Sequence, residues 1–212
     1  MDIIMKNTLR SLVIASSVFA ASANATLITN GSFEENVGLT GGQWGVFQSI
    51  PGWTATGGAG IEVERETVVS TPFGNQYVEL DSHNNSSMSQ YLTGLSVGSI
   101  YQLDFWFKPR TGTFGDNGIN VSWGATPDIS PFTYAFGVDG VAPADWALKT
   151  GFLTATSTDM TLTFSAVGIN NSLGGFIDNV SLNSVAVSEP ASLALFGLGL
   201  LGLGAVRRGR KA

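Results

Sequence analysis

The sequence predicts an antiparallel β-sandwich, and three observations within residues 26–187 lead to this fold class. Apolar and polar residues alternate along several short stretches, which is the period of a strand with one buried face. Clusters of Gly and Asn separate those stretches, as turns between antiparallel strands do. No stretch in this region has the 3.6-residue periodicity of an amphipathic helix. Many short strands without helices indicate an all-β domain.

The alternation is clearest at residues 76–80, 101–108, 119–123 and 160–164. In the second of these stretches, aromatic or aliphatic side chains occupy every other position and are predicted to face the core. The intervening side chains should then share the outer face of the strand, and they are Gln102, Asp104, Trp106 and Lys108.

The first 25 residues have the pattern of a secretory signal peptide. Lys6 and Arg10 precede the apolar residues 12–21, and the small-residue sequence Ala23-Asn24-Ala25 follows. A basic start, a short apolar core and small residues before the cleavage position are the three parts of such a signal. We therefore expect residues 1–25 to be removed on export.

The C-terminus has a second apolar segment, residues 191–206, followed directly by Arg207, Arg208, Arg210 and Lys211. As a helix it would span roughly 24 Å at about 1.5 Å per residue, which is short for a hydrocarbon core of about 30 Å. Basic residues beside a span stay on the cytoplasmic side. We therefore expect a transmembrane helix that leaves residues 26–187 outside the inner membrane.

Just before this helix stands the sequence Ser188-Glu189-Pro190. Together with the Gly- and Leu-rich apolar run and the basic end, it resembles the PEP-CTERM sorting signal of Gram-negative bacteria, in which the first position is usually Pro. The resemblance implies that residues 188–212 are a temporary anchor. It also implies that a membrane-embedded exosortase cuts near Glu189 and Pro190. That family is associated with exopolysaccharide production and biofilm formation.

Acidic residues dominate the chain between these two terminal signals. From Thr26 to Ser188 there are 14 acidic residues, while the basic ones are only Arg65, Lys108, Arg110 and Lys149. Nucleic acid and anionic lipid surfaces are therefore unfavourable partners. The chain contains no Cys, which excludes disulfides, thiolate metal sites and a Cys nucleophile.

The order of short motifs in the middle of the chain suggests a more specific fold. The motifs are residues 30–34, 51–53, 76–80, 88–90 and 175–180. In this order they resemble the galactose-binding-like jelly rolls, a superfamily that includes many carbohydrate-binding modules. The resemblance covers nearly all of residues 26–187.

In that superfamily an acidic residue in the first motif and another in the last strand hold a structural calcium ion, so the resemblance implies such a role for Glu34 and Asp178. Calcium takes six to eight oxygen ligands, and carboxylates from distant parts of a chain can join its two ends. The alternative is that Glu34 is a solvated loop residue and that Asp178 accepts a hydrogen bond within a turn.

Trp106 is the candidate sugar platform, because the alternation places it on the outer face with Gln102, Asp104 and Lys108. The apolar C–H face of a sugar packs on an exposed indole while neighbouring polar groups bind its hydroxyls. The alternative is that a loop covers Trp106, as is common for tryptophan.

Two further sets of residues leave a hydrolase open. His83 lies beside Asp81 and Ser82, but the sequence lacks a nucleophile elbow, and a polar turn is favoured. Glu62, Glu64 and Glu66 offer the paired carboxylates of a glycoside hydrolase, but their even spacing favours a charged outer strand face.

Three functions follow from these observations. The favoured one is a non-catalytic carbohydrate-binding protein at the cell surface or in the extracellular polysaccharide. The second is a structural matrix protein that binds no sugar. A secreted polysaccharide-degrading enzyme has the least support, because no catalytic constellation emerges.

Overall fold

The computed structural model describes residues 26–35, 38–125 and 133–185. The predicted signal peptide, the predicted transmembrane helix and the sorting residues Ser188, Glu189, Pro190, Arg207 and Arg208 lie outside these ranges. Within the described ranges, no helix has the length and apolar character needed to cross a membrane.

Twelve strands form in the described residues. In chain order they are β1 (Gln43–Phe47), β2 (Ser49–Ile50), β3 (Trp53–Gly57), β4 (Ile61–Arg65), β5 (Gln76–Glu79), β6 (Ser87–Leu92), β7 (Ile100–Lys108), β8 (Gly118–Ala125), β9 (Thr133–Val138), β10 (Ala147–Thr154), β11 (Met160–Val167) and β12 (Phe176–Ser184). They form two six-stranded sheets, sheet 1 in the order β1-β4-β5-β12-β7-β10 and sheet 2 in the order β2-β3-β6-β11-β8-β9. Every neighbouring pair is antiparallel, as the sequence predicts.

The inner faces of the two sheets enclose one hydrophobic core. Strand β7 contributes the side chains that its alternation predicts, including Leu103, Phe105 and Phe107, all buried. Phe105 packs edge-on against Phe164 of sheet 2, with ring centroids 5.1 Å apart. Burying each side chain of this size stabilises the fold by about 1.5–3 kcal/mol.

The N-terminal segment lies along β12, the last strand of the domain. Leu27 donates its N–H to the Leu182 carbonyl, and the Val180 N–H donates to the Gly31 carbonyl. Only a glycine fits at position 31, because a Cβ there would lie 1.9 Å from the Val180 carbonyl oxygen. This close approach brings the first motif of the chain beside the last strand.

The outer face of sheet 1 is partly covered by the loop of residues 66–75, which joins β4 to β5. The ring of Phe73 lies 4.7 Å from that of Trp106 on β7. Trp146 donates its indole N–H to the Ser70 carbonyl over 2.9 Å. These contacts hold the loop across the sheet, and its edges form the walls of the clefts described below.

Candidate functional site

Three carboxylates meet on the outer face of sheet 1, those of Glu62 and Glu64 on β4 and Glu79 on β5. One oxygen from each lies within 4.8 Å of the others. The side chains are buried, with residue exposures of 6%, 1% and 0%. Burying three carboxylates side by side costs folding free energy unless partner groups compensate their charge.

The even spacing of Glu62, Glu64 and Glu66 predicts a charged outer strand face, and the first two lie on that face but are buried there. They share the outer face, as their spacing predicts, but neighbouring strands and the loop of residues 66–75 remove them from water. Only Glu66, which follows the end of β4, is exposed.

Two of the three carboxylates have close partners. Arg110 contacts Glu79 through its guanidinium and lies 3.9 Å from Glu64. The Tyr77 hydroxyl donates to Glu64 over 2.7 Å, and the Gly174 N–H donates to Glu79 over 2.6 Å. Among the described residues, no group donates a hydrogen bond to the Glu62 carboxylate.

Burial shifts the acid–base behaviour of this cluster. It raises the pKa of Glu62 from 4.5 to about 7, and the charge on Glu64 adds to the rise while Arg110 and His83 oppose it. Burial and a hydrogen bond with Glu64 also raise the pKa of Glu79, with Arg110 opposing. Burial likewise raises the pKa of the Tyr77 hydroxyl. Glu62 is thus a carboxyl that changes charge close to neutral pH.

Two members of the acid cluster, Glu62 and Glu64, line a cleft of about 350 Å³. Its lining residues are Trp44, Glu62, Glu64, Thr67, Val68, Ser82, His83, Arg110 and Ser172. Trp44 stands on β1 with 51% of its surface exposed, and its ring meets that of His83 edge-on at 6.3 Å. An exposed indole therefore borders a polar cleft.

A second cleft, of about 430 Å³, lies on the same side of the molecule. Arg110 lines both clefts, and the adjacent residues Val68 and Val69 line one each. The second cleft also includes Lys108 and Asp145. The two clefts therefore adjoin at Arg110, and we refer to the pair as the groove.

The structure places the predicted sugar-binding residues on the outer face of β7. Gln102 donates to Asp104 over 2.8 Å, and Asp104 also accepts from Thr150 over 2.6 Å. Lys108 donates to the Ala144 carbonyl and lines the second cleft. Trp106 is half-buried because Phe73 packs on its ring. Direct contact of these residues with sugar stays a prediction.

Sequence reasoning missed the cleft with the acid cluster. Glu79, Ser82 and Trp44 are not among the residues predicted to contact a ligand. The even spacing of Glu62, Glu64 and Glu66 was the one sequence pattern that indicated this outer strand face. The burial of that face depends on strands β1 and β5 and on Arg110, which no local pattern reveals.

Glu34 and Asp178 lie where the sequence predicts, at the junction of the N-terminal segment and β12. Glu34 accepts the N–H groups of Asn75 and Gln76, each over 2.6 Å. Asp178 accepts the Asn179 N–H over 2.6 Å and contacts the Thr71 hydroxyl. Burial raises the pKa of Asp178 to about 7, and the nearby charge of Glu34 adds to the rise. A cation would offset the repulsion between these two carboxylates, so the residues fit a calcium site, which stays a prediction.

The two antiparallel sheets and the grooved outer face of sheet 1 define a jelly-roll sandwich of the type found in carbohydrate-binding modules. The tandem CBM22-1–CBM22-2 domain of Paenibacillus barcinonensis Xyn10C has the same fold, with a TM-score of 0.51 at 16% identity over 81% of this chain and 50% of that one. TmCBM61, solved in complex with β-1,4-galactotriose, has a TM-score of 0.49 at 18% identity, covering 76% of this chain and 99% of that one. The predicted all-β jelly roll is confirmed.

The chain belongs to the DUF642 family, described as proteins of unknown function, whose model matches residues 26–183. Residues 186–211 match the PEP-CTERM protein-sorting motif, which confirms the predicted sorting signal. A multifunctional-autoprocessing repeats-in-toxin protein of Vibrio vulnificus is 32% identical over 174 residues. That match covers 78% of this chain but only 3% of the toxin's length.

Proposed function

We propose that this protein is an exported carbohydrate-binding protein without catalytic activity, sorted by its PEP-CTERM motif. An exosortase removes the C-terminal anchor, and the domain acts at the cell surface or in the extracellular matrix of a Gram-negative bacterium. Its ligand is the extracellular polysaccharide. The observation that carries this proposal is the pair of adjoining clefts on the outer face of sheet 1.

The dimensions and chemistry of the groove support a sugar ligand. Its two clefts of about 350 and 430 Å³ fall within the range of small-molecule sites, about 300–1,000 Å³. Trp44 offers an apolar surface for the C–H face of a ring, while Arg110, His83 and the carboxylates offer hydrogen bonds to hydroxyl groups. Two adjoining clefts can also hold more than one sugar unit of a polysaccharide.

The geometry of the carboxylates favours binding over hydrolysis. Glycoside hydrolases use one carboxylic acid and one carboxylate that flank the scissile bond, with the two carboxyl groups at least about 5 Å apart. In the acid cluster, one oxygen from each carboxylate lies within 4.8 Å of the others. Here Arg110 and Gly174 engage Glu79, while Tyr77 engages Glu64. These partners hold the two carboxyl groups to the protein, which suits a fixed recognition surface.

Calcium belongs to the same proposal, as a structural ion at Glu34 and Asp178. These residues join the N-terminal segment to β12, so an ion there would tie both ends of the domain together. Its role would be support of the fold, because neither Glu34 nor Asp178 lines the cleft with the acid cluster.

The test is retention of the purified full chain, in mild detergent, on a panel of immobilised polysaccharides that includes the matrix of the producing cell. We expect retention on at least one polymer, and we expect Trp44→Ala to abolish it. Tyr91→Ala is the matched control, since Tyr91 is 55% exposed on strand β6 of the other sheet. Passage through every column, or turnover of any polymer, would contradict the proposal.

A further inference from the structure

Glu62 is the uncompensated charge of the cleft that contains the acid cluster. It lines the cleft, its residue exposure is 6%, and no described group donates a hydrogen bond to its carboxylate. Glu64 and Glu79 differ, since Tyr77, Gly174 and Arg110 satisfy them. An ionised buried carboxylate without a partner is unfavourable, and a cationic ligand would relieve it.

Ser82 gives an independent indication of a ligand at the same place. It lines the cleft with Glu62, its residue exposure is 6%, and its hydroxyl has no hydrogen-bond partner in the described part of the chain. Buried hydroxyls are nearly always hydrogen-bonded in folded proteins, so an orphaned one in a cleft wall indicates an external partner. A hydroxyl oxygen has two lone pairs and can accept a hydrogen bond from a cationic donor.

Four titratable groups act electrostatically on the Glu62 carboxyl. Glu64 lies on the same strand, while Asp81 and His83 belong to the turn after β5. Arg110 follows β7 and is the only basic group apart from His83 that acts on Glu62. Because Arg110 already contacts Glu79, its single charge is shared over several carboxylates. The cleft therefore retains an excess of negative charge for a bound cation.

We propose that this cleft is a subsite for a sugar bearing a free, protonated amine, so that the ligand is a polysaccharide containing unacetylated hexosamine units. The ammonium group donates to the Glu62 carboxylate and to the Ser82 hydroxyl. The sugar ring lies against Trp44, which borders the cleft. This inference rests on the proposed function, because it names the class of sugar that the groove recognises.

An organic ammonium fits this cleft better than a divalent metal ion does. Calcium requires six to eight oxygens and magnesium an octahedron, whereas an ammonium group has only three hydrogens to donate. The oxygens of Glu64 and Glu79 already accept from Tyr77 and Gly174, and the Arg110 guanidinium lies against Glu79. A doubly charged ion at that position would face direct repulsion from Arg110.

The experiment compares three β-1,4-linked oligosaccharides of equal length by calorimetric titration of the full chain. They are built from glucosamine, N-acetylglucosamine and glucose, so they differ only at the 2-position. We expect the glucosamine oligomer to bind at least about tenfold more tightly than the other two, the size expected for one hydrogen bond between charged groups. Glu62→Gln and Ser82→Ala should each reduce this preference.

Glu66→Gln is the matched control, because it removes the same charge from an exposed position just after β4. It should leave the preference unchanged, and equal losses in Glu62→Gln and Glu66→Gln would overturn the inference. Both variants are checked for cooperative unfolding at a melting temperature no lower than that of the wild-type protein, and Gln at position 62 is the neutral isostere of a protonated Glu.

The remaining outcomes separate the two proposals. Equal affinity for all three oligomers would overturn the amine subsite while leaving carbohydrate binding in place. Failure to bind these oligomers or any immobilised polysaccharide would remove both. Calcium or magnesium binding that depends on Glu62 and displaces the glucosamine oligomer would also overturn the amine subsite, since it would assign the cluster to a metal.

Discussion

Replacing Glu62 by Gln should stabilise the protein above pH 7 and leave its stability nearly unchanged below pH 4.5. In the unfolded chain the carboxyl has a pKa near 4.5, whereas burial raises it to about 7 in the folded protein. Below pH 4.5 the carboxyl is protonated in both states, so its titration contributes nothing. Between the two values the unfolded state ionises first, and folding becomes less favourable as the pH rises.

The size of the effect follows from the interval between the two pKa values. An interval from 4.5 to about 7 corresponds to roughly 3 kcal/mol, since each pH unit is worth about 1.4 kcal/mol. The full penalty is present above pH 7, where Glu62 is ionised in both states. Gln carries no charge and avoids this penalty, so its advantage should grow between pH 4.5 and pH 7 and then level off.

The assay is urea denaturation of the two full-length proteins at intervals from pH 4 to pH 8.5, followed by tryptophan fluorescence. The quantity of interest is the difference in unfolding free energy at each pH, which cancels the other titrating groups that both proteins share. Glu66→Gln, at an exposed position, should show no comparable dependence. A difference that stays constant with pH, or wild-type protein that is more stable above pH 7, would refute the reasoning.

Three other predictions concern other parts of the chain. Arg110→Met should lower the free energy of unfolding by about 3 kcal/mol at pH 7 in urea denaturation, because it leaves buried carboxylates without their cation. The control Lys108→Met loses a hydrogen bond to the Ala144 carbonyl and should change the free energy of unfolding by less than about 0.5 kcal/mol. Calcium should raise the melting temperature measured by calorimetry, and EDTA should lower it. Glu34→Gln should remove this response. A melting temperature that is insensitive to both reagents would contradict the calcium site. Replacing Glu189 and Pro190 by Ala should leave the protein in the membrane fraction on immunoblots, while unchanged release would argue against processing at that motif.

The sequence was sufficient to predict the strands because strand periodicity is a local property. The alternation along residues 101–108 assigns each side chain of β7 to a face without reference to any other strand. The tail was predictable for a similar reason, since the sorting motif is contiguous.

The acid cluster was not predictable, because its chemistry depends on which strands become neighbours. Glu62 and Glu79 lie on strands β4 and β5, and their side chains meet only because those strands pair with Glu62 opposite Glu79. Arg110 reaches them from the end of β7, across β12. Without the strand order, a row of glutamates has the composition of an ordinary solvated face.

The path of β12 determines how a pulling force between the C-terminal tail and a bound ligand would pass through the domain. Phe176 at the start of this strand pairs with Lys108, near the groove, while Ser184 at its end pairs with Tyr101 and leads to the sorting motif. The two ends are about 25 Å apart, at about 3.3 Å per residue. Before the anchor is removed, a polymer held in the groove and the membrane anchor at the tail would therefore pull on opposite ends of the domain. The force would act along β12, in shear against the hydrogen bonds to β5 and β7, which must break together.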